Sequence, residues 1–242
     1  MVSAPQPLRA PLSTAQTLSA RWKNRLSEQR RALELRYLEN KSASGLLRRH
    51  CSLVDGQLKA VWRQLAMPPT VALVAVGGYG RGQLFPYSDI DLMVLLPHAS
   101  DEAQQLKLEP FVGILWDIGL EVGHSVRTVD ECLALSQQDI TVQTTLLEAR
   151  LLDGGRRLYR RFEKEFADAL DPQQFCKAKW LEQEQRHARY HDTNLEPNLK
   201  EVAGGLRDLH NILWISKAAG IGACWSDLVK RGVITRSEAT QL

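Results

Sequence analysis

The chain has 242 residues, 44% of them hydrophobic, and its 31 Lys and Arg against 28 Asp and Glu leave a net charge of +3. That is enough apolar content for a real core, and too slight a charge to argue for nucleic acid. No apolar run approaches the roughly 18 residues of a membrane span, and the start lacks a signal-peptide block. Cys51, Cys132, Cys176 and Cys224 are scattered without metal-ligand spacing, so four buried thiols and a cytoplasmic address are expected.

Residues 1–17 are rich in Pro, Ala, Ser and Gln without periodicity and read as a flexible tail. Residues 18–67 read as N-terminal helices, with Trp22, Leu26, Leu33 and Tyr37 at helical spacing and a break at Ser42 or Gly45. Their basic clusters, Arg30-Arg31 and Arg48-Arg49-His50, read as a solvated face. Strands follow at 71–76 and 90–96, then a helix over about 101–119, a third strand at 121–128, and short helices near 130–136 and 139–152. Gly154-Gly155 marks a boundary. Amphipathic helices are predicted at 156–170 and 172–190, the second started by Asp171-Pro172. An irregular stretch covers 191–203 and helix resumes from 204. The organisation is thus α+β: a small mixed sheet flanked by helices over 68–153, and a helical substrate-binding region over 154–242. The chain ends at Thr240-Gln241-Leu242 inside a helical pattern, which reads as a cut within a longer protein.

The chemistry concentrates between residues 71 and 96. An apolar strand runs into Gly77-Gly78, and the next strand opens with Asp89 and Asp91 in alternation. Side chains two apart on a strand share a face, so both carboxylates can meet at one point. Leu92 to Leu96 is too apolar for surface, and a buried strand that begins with two charges needs a partner for them. Two hard oxygen ligands beside a glycine turn suit Mg²⁺, or Mn²⁺, carrying nucleotide phosphates. Glycines let backbone N–H groups approach those phosphates, and a helix starting near 80–84 would favour the same anion. Arg81 adds charge and Ser88 a hydroxyl donor; Tyr79 is expected to pack.

Gly-Gly, a spacer, and Ser88-Asp89-Ile90-Asp91-Leu92 resemble the signature of the DNA polymerase β-like nucleotidyltransferase superfamily. The runs 115–128 and 194–201, with Gly204-Gly205-Leu206-Arg207-Asp208, are similar to the N-terminal part of one family in it. That family is the bifunctional uridylyltransferase/uridylyl-removing enzymes acting on the nitrogen-signalling protein PII. The resemblance implies the nucleotidyltransferase fold, UTP as donor, a PII tyrosine as acceptor and pyrophosphate as product, with no nucleic acid or membrane partner. It also implies a His-Asp hydrolase cluster and sensor repeats that this sequence does not display. The residues alone choose neither the base nor the acceptor, and an adenylyltransferase or a non-catalytic nucleotide-binding piece stays open.

The superfamily supplies a third carboxylate from a neighbouring strand, and Glu121 is the candidate here, with Asp117 a weaker one. His124 is expected to be a core histidine. Downstream, His187, Arg189, His191, Asp192, Asn194, Glu196, Asn198, Lys200, Arg207 and Asp208 crowd a short stretch. A triphosphate carries about four negative charges that need offsetting; Lys200 and Arg207 are the expected donors. His187 and His191, at i and i+4, are a possible metal pair without a third ligand in register.

Overall fold

The computed structural model describes residues 14–98, 102–190 and 198–241. Two long helices, α1 (Thr14–Asn40) and α2 (Ala43–Gln64), lead into strand β1 (Ala72–Ala75) and a single helical turn, α3 (Gly77–Gly80). Then come β2 (Ile90–Leu96), α4 (Glu102–Asp117), β3 (Val122–Thr128), α5 (Val129–Gln138), α6 (Ile140–Leu147) and β4 (Arg150–Gly154). Helices α7 (Arg156–Ala169), α8 (Pro172–Tyr190), α9 (Leu206–Ala218), α10 (Trp225–Lys230) and α11 (Arg236–Gln241) complete the described chain. None of the helices among the described residues is long and apolar enough to cross a membrane.

The four strands form one mixed sheet in the order β3-β2-β1-β4. β1 lies antiparallel to β2, Ala72 opposite Leu95, and antiparallel to β4 on its other side. β3 runs parallel to β2, with Ile90 opposite Val122 and Asp91 opposite Gly123. The end of β1 and the starts of β2 and β3 therefore share one edge of the sheet. Every residue of β1 is buried, because helices cover both faces. One face packs Leu73, Ala75, Leu92 and Val94 on Val54, Leu58 and Trp62 of α2 and Phe111 and Leu115 of α4. The Trp62 and Phe111 rings meet edge to face, centroids 5.2 Å apart. The other face packs Val74, Met93 and Leu95 on Cys132, Leu146, Phe162, Phe175 and Trp214.

Helix ends follow local chemistry. The break between α1 and α2 falls where Ser42 Oγ accepts the Gly45 N–H at 3.2 Å. Thr128 and Glu131 form a capping box at α5, and Asp171 accepts the Gln173 N–H at the start of α8.

Several expectations need correction. Helix α1 already begins at Thr14, within the stretch read as tail. Residues 150–152, taken as the end of a helix, belong to β4 (Arg150–Gly154) instead. Leu151 and Leu152 pack into opposite cores, a strand alternation too short to stand out in sequence. The helix expected near 80–84 is one turn earlier, at the glycines themselves. His124 is exposed rather than core, because β3 is the edge strand. In the basic clusters the arginines are exposed, but His50 is buried with Nδ1 3.1 Å from the Leu84 carbonyl. All four cysteines are free; Cys51 and Cys132 are buried, Cys176 is half-buried and Cys224 is exposed.

Candidate active site

β1 delivers its chain to the shared edge in extended form. The Val76 N–H donates to the Asp91 carbonyl at 3.0 Å, and Gly77 then turns with φ +57°. Only glycine takes that turn without strain. Gly78 is open on the side where a side chain would stand, with Arg81 Nη2 3.9 Å away. Gly80 is the opposite case: a Cβ there would lie 2.1 Å from the Glu148 carbonyl oxygen. One glycine keeps space for a ligand, and the other lets the turn press against β4's approach.

Asp91, the second residue of β2, sits between two glycines. Its carboxylate oxygens lie 3.0 Å and 3.1 Å from where Cβ atoms on Gly77 and Gly123 would be. Asp89 stands exposed just before the strand. Burial, and then the charge of Asp89, push the Asp91 carboxyl above its ordinary range. Among the described residues, neither carboxylate has an ion-pair or hydrogen-bond partner. Two adjacent carboxylates with uncompensated charge fit a hard divalent cation such as Mg²⁺ or Mn²⁺. Other ligands would come from phosphates and water, since no group of three His, Cys, Asp or Glu is arranged for a metal among the described residues.

The carboxylates and the glycine turn open onto a cleft of about 920 Å³, whose far wall is α8, α9 and, before α9, Lys200 and Glu201. Gly77, Gly78, Arg81, Ser88, Asp89, Asp91, Lys200 and Arg207 all line it. So do Lys179, Arg186 and Arg189 of α8. Three cations surround the buried Trp214 ring: Lys179 Nζ at 4.5 Å, Arg207 at 5.6 Å and Arg81 at 5.9 Å from its centroid. Lys179 is only 2% exposed and pairs with Glu182 at 2.6 Å. Arg81 pairs with buried Glu148 at 3.3 Å. The local potential is legible in His210, which burial and then Arg81, Arg207 and Lys200 hold down to about 3.

Arg186 is the most telling of these cations. Its Nη2 bonds Asp208 and its Nε lies 3.9 Å from the Glu201 carboxylate, yet Nε and Nη1 are buried without a hydrogen-bond partner among the described residues. A buried guanidinium with free donors on a cleft wall calls for an acceptor-rich ligand. Sequence reasoning passed over both Arg186 and Lys179. Their spacing of seven on one helix face was the available signal.

A second network, also unforeseen, supports the turn from below. Arg150 Nη1 and Nη2 donate to Asp55 at 2.7 Å and 3.1 Å, while Nε reaches the Gly80 carbonyl at 3.1 Å. Tyr79, 1% exposed, donates its hydroxyl to Asp55 at 2.5 Å, so it packs as expected. One arginine thereby ties the end of the glycine turn to α2 and to β4.

The remaining candidates lie elsewhere. Glu121 does not line the main cleft; it borders a neighbouring hollow of about 570 Å³ with Asp89, Trp116 and Gly123. Asp117 is exposed and lines neither. His187 Nε2 lies 2.9 Å from Asp208 Oδ2. His191, Asp192, Asn194 and Glu196 lie outside the described residues.

Comparison with known proteins adds to this geometry. Residues 57–148 match the nucleotidyltransferase domain family, and residues 174–242 match the family described as GlnD PII-uridylyltransferase. The chain is 55% identical over 225 residues to a bifunctional uridylyltransferase/uridylyl-removing enzyme of Nitrosospira multiformis, covering 90% of this chain and 25% of that protein. Proteins with the same description from Aromatoleum aromaticum and Chromobacterium violaceum are each 50% identical, over 95% and 92% of this chain and 27% of their own length. The chain thus carries a nucleotidyltransferase domain and spans about a quarter of the curated relatives it matches.

Proposed function

We propose that this chain transfers UMP from UTP to a tyrosine of PII, releasing pyrophosphate, in a reaction that depends on Mg²⁺ or Mn²⁺. The observation that carries the reading is the pair Asp89 and Asp91, unpartnered among the described residues and set beside Gly77-Gly78 on one wall of a cleft whose other wall is rich in cations. Asp89 and Asp91 would hold the metal, which when bound supplies charge neutralisation of the phosphates. Gly77 and Gly78 admit the phosphate tail against the backbone, and Ser88 offers a hydroxyl beside it. Arg81, Arg186, Lys200 and Arg207 hold the far end of the tail and offset the charge that grows on departing pyrophosphate. With the tail fixed, the α-phosphorus lies at the carboxylates, and the acceptor hydroxyl attacks it in line. Uridylyl transfer is drawn from the relatives' names, PII from the description of the matching family, and UTP and the tyrosine from the sequence resemblance; an enzyme consuming a nucleoside triphosphate would work in the cytoplasm, where that donor is made.

A second reading, nucleotide binding without transfer, is favoured by Glu121 lying outside the main cleft. Pyrophosphate release, measured with each of the four nucleoside triphosphates, with and without PII and Mg²⁺, separates the two. Release with UTP that requires PII and metal is expected. Nucleotide binding with no release under any combination would leave the second reading.

A further inference from the structure

The three elements that meet at the sheet edge stand in a fixed lateral order: the glycine turn after β1, the aspartates at the start of β2, then the start of β3. The main cleft takes in the first two, and the smaller hollow takes in the last two, with Asp89 the one residue common to both linings. The linings differ in chemistry. The main cleft is rich in Arg and Lys, whereas the hollow is lined by Asp89, Trp116, Gly119, Leu120, Glu121, Val122 and Gly123, without a cation. A phosphate tail fits the first and is repelled by the second.

In-line displacement at phosphorus requires the nucleophile and the leaving group on opposite sides. If pyrophosphate departs along the glycine turn and the cationic wall, the acceptor must come from the β3 side. The side chain waiting there is Trp116, 59% exposed near the end of α4. It is kept beside the start of β3 by a tight turn, in which the Gly119 N–H donates to the Trp116 carbonyl at 2.9 Å and Gly119 takes φ +83°. A large indole face left in water next to carboxylates suits a flat, uncharged, hydroxyl-bearing ring.

We propose that this hollow is the acceptor site and that Trp116 is the platform on which the acceptor's phenolic ring lies; the inference rests on the transferase reading above. The phenolic oxygen forms the new bond to the α-phosphorus, and the bond to the pyrophosphate oxygen breaks with its electron pair leaving toward the glycine turn. The phenolic proton passes to water on the open side of the hollow. Trp116 is thus an acceptor-binding residue that makes no contact with the nucleotide.

The test compares Trp116→Ala and Trp116→Phe with Trp180→Ala, a variant at another exposed tryptophan (63%) that lines neither hollow. UTP affinity is measured by calorimetry with Mg²⁺, and KM for PII and kcat by pyrophosphate release. Trp116→Ala should raise KM for PII at least tenfold with UTP affinity within twofold of wild type; Trp116→Phe should recover most of the loss, and Trp180→Ala should change neither. An unchanged KM for PII in Trp116→Ala, or an equal rise in Trp180→Ala, overturns the acceptor site while leaving the transferase reading intact. If wild type itself releases no pyrophosphate with PII, the reading of the reaction falls and takes this inference with it.

Discussion

The two walls of the cleft are built on different principles. The sheet-edge wall, Gly77 to Asp91, is local: fifteen consecutive residues carry the turn, the serine and both carboxylates, and backbone shape does much of the positioning. The helical wall is assembled: Lys179, Arg186, Lys200 and Arg207 come from two helices and their connection, and side-chain reach does the positioning. A local wall tolerates almost no change in shape, because each residue's conformation is shared by its neighbours. An assembled wall spreads its work over several cations, so losing one weakens it without abolishing it.

The largest expected effect tests the local wall at its charges. Asp89→Asn or Asp91→Asn should reduce transfer by about 1,000-fold or more, since each removes one of the two carboxylates that would hold the metal. Thermal stability without metal should stay level or rise, because a half-buried carboxylate beside a like charge is disfavoured. Near-normal turnover at saturating UTP and Mg²⁺ in either variant would remove the pair from the chemistry.

Next come the glycines, which split the local wall into shape and space. Gly80→Ala forces a Cβ onto the Glu148 carbonyl and should cost about 3 kcal/mol of stability or more, read by denaturant unfolding. Gly78→Val meets open space and should keep the fold while weakening UTP binding about tenfold or more. Wild-type UTP affinity in folded Gly78→Val would show that the tail lies elsewhere.

The assembled wall is tested by its own potential. His210 is held down to about 3 when folded, against about 6.5 unfolded, so the unfolded chain takes up the extra proton. Stability from this site is therefore present above pH 6.5 and lost as pH falls from there toward 3. Wild type should lose up to about 2 kcal/mol between pH 7 and pH 5 that His210→Gln does not lose. Equal slopes for the two proteins would mean that neither burial nor the neighbouring cations keep the imidazole neutral.

The smallest effects should come from single cations. Lys200→Ala or Arg207→Ala should each weaken UTP binding by about five- to tenfold, with the loss shrinking as salt is added. A loss as complete as that of the aspartate variants would show that the helical wall is not redundant after all.

The same contrast explains what could be read from sequence. The mixed α+β architecture, β2 to its exact bounds, and α8 with its Asp171 cap were legible because periodicity and capping are short-range. The residues of the local wall were legible as a motif, since their spacing is itself the geometry. β4 was missed because five residues pairing with a strand far upstream carry too little pattern of their own. Arg150 and Asp55 were invisible for the same reason: their partnership joins β4 to α2 over a sequence separation of 95 residues, and neither stands in a recognisable run. Lys179 and Arg186 read as ordinary helix-surface charges until the fold buried them against Trp214 and Asp208. Glu121 was placed on the right strand edge, but strand order alone could not say which hollow it would border.

The crowding of Lys179, Arg207 and Arg81 around one indole has a mechanical side. Each is paired with a carboxylate, Lys179 with Glu182, Arg81 with Glu148 and Arg207 with Glu201, yet like charges from separate elements still push on one another across the seam between sheet and helices. A polyanion lodged between the walls would reverse the sign of that push, so a nucleotide held there would act as a keystone, gripped by both sides and pressing them together in turn. The loaded protein should outlast the free one on heating by the margin that mass action sets. Salt should then move the two forms in opposite directions, easing the strain in the free protein while loosening the keystone in the loaded one.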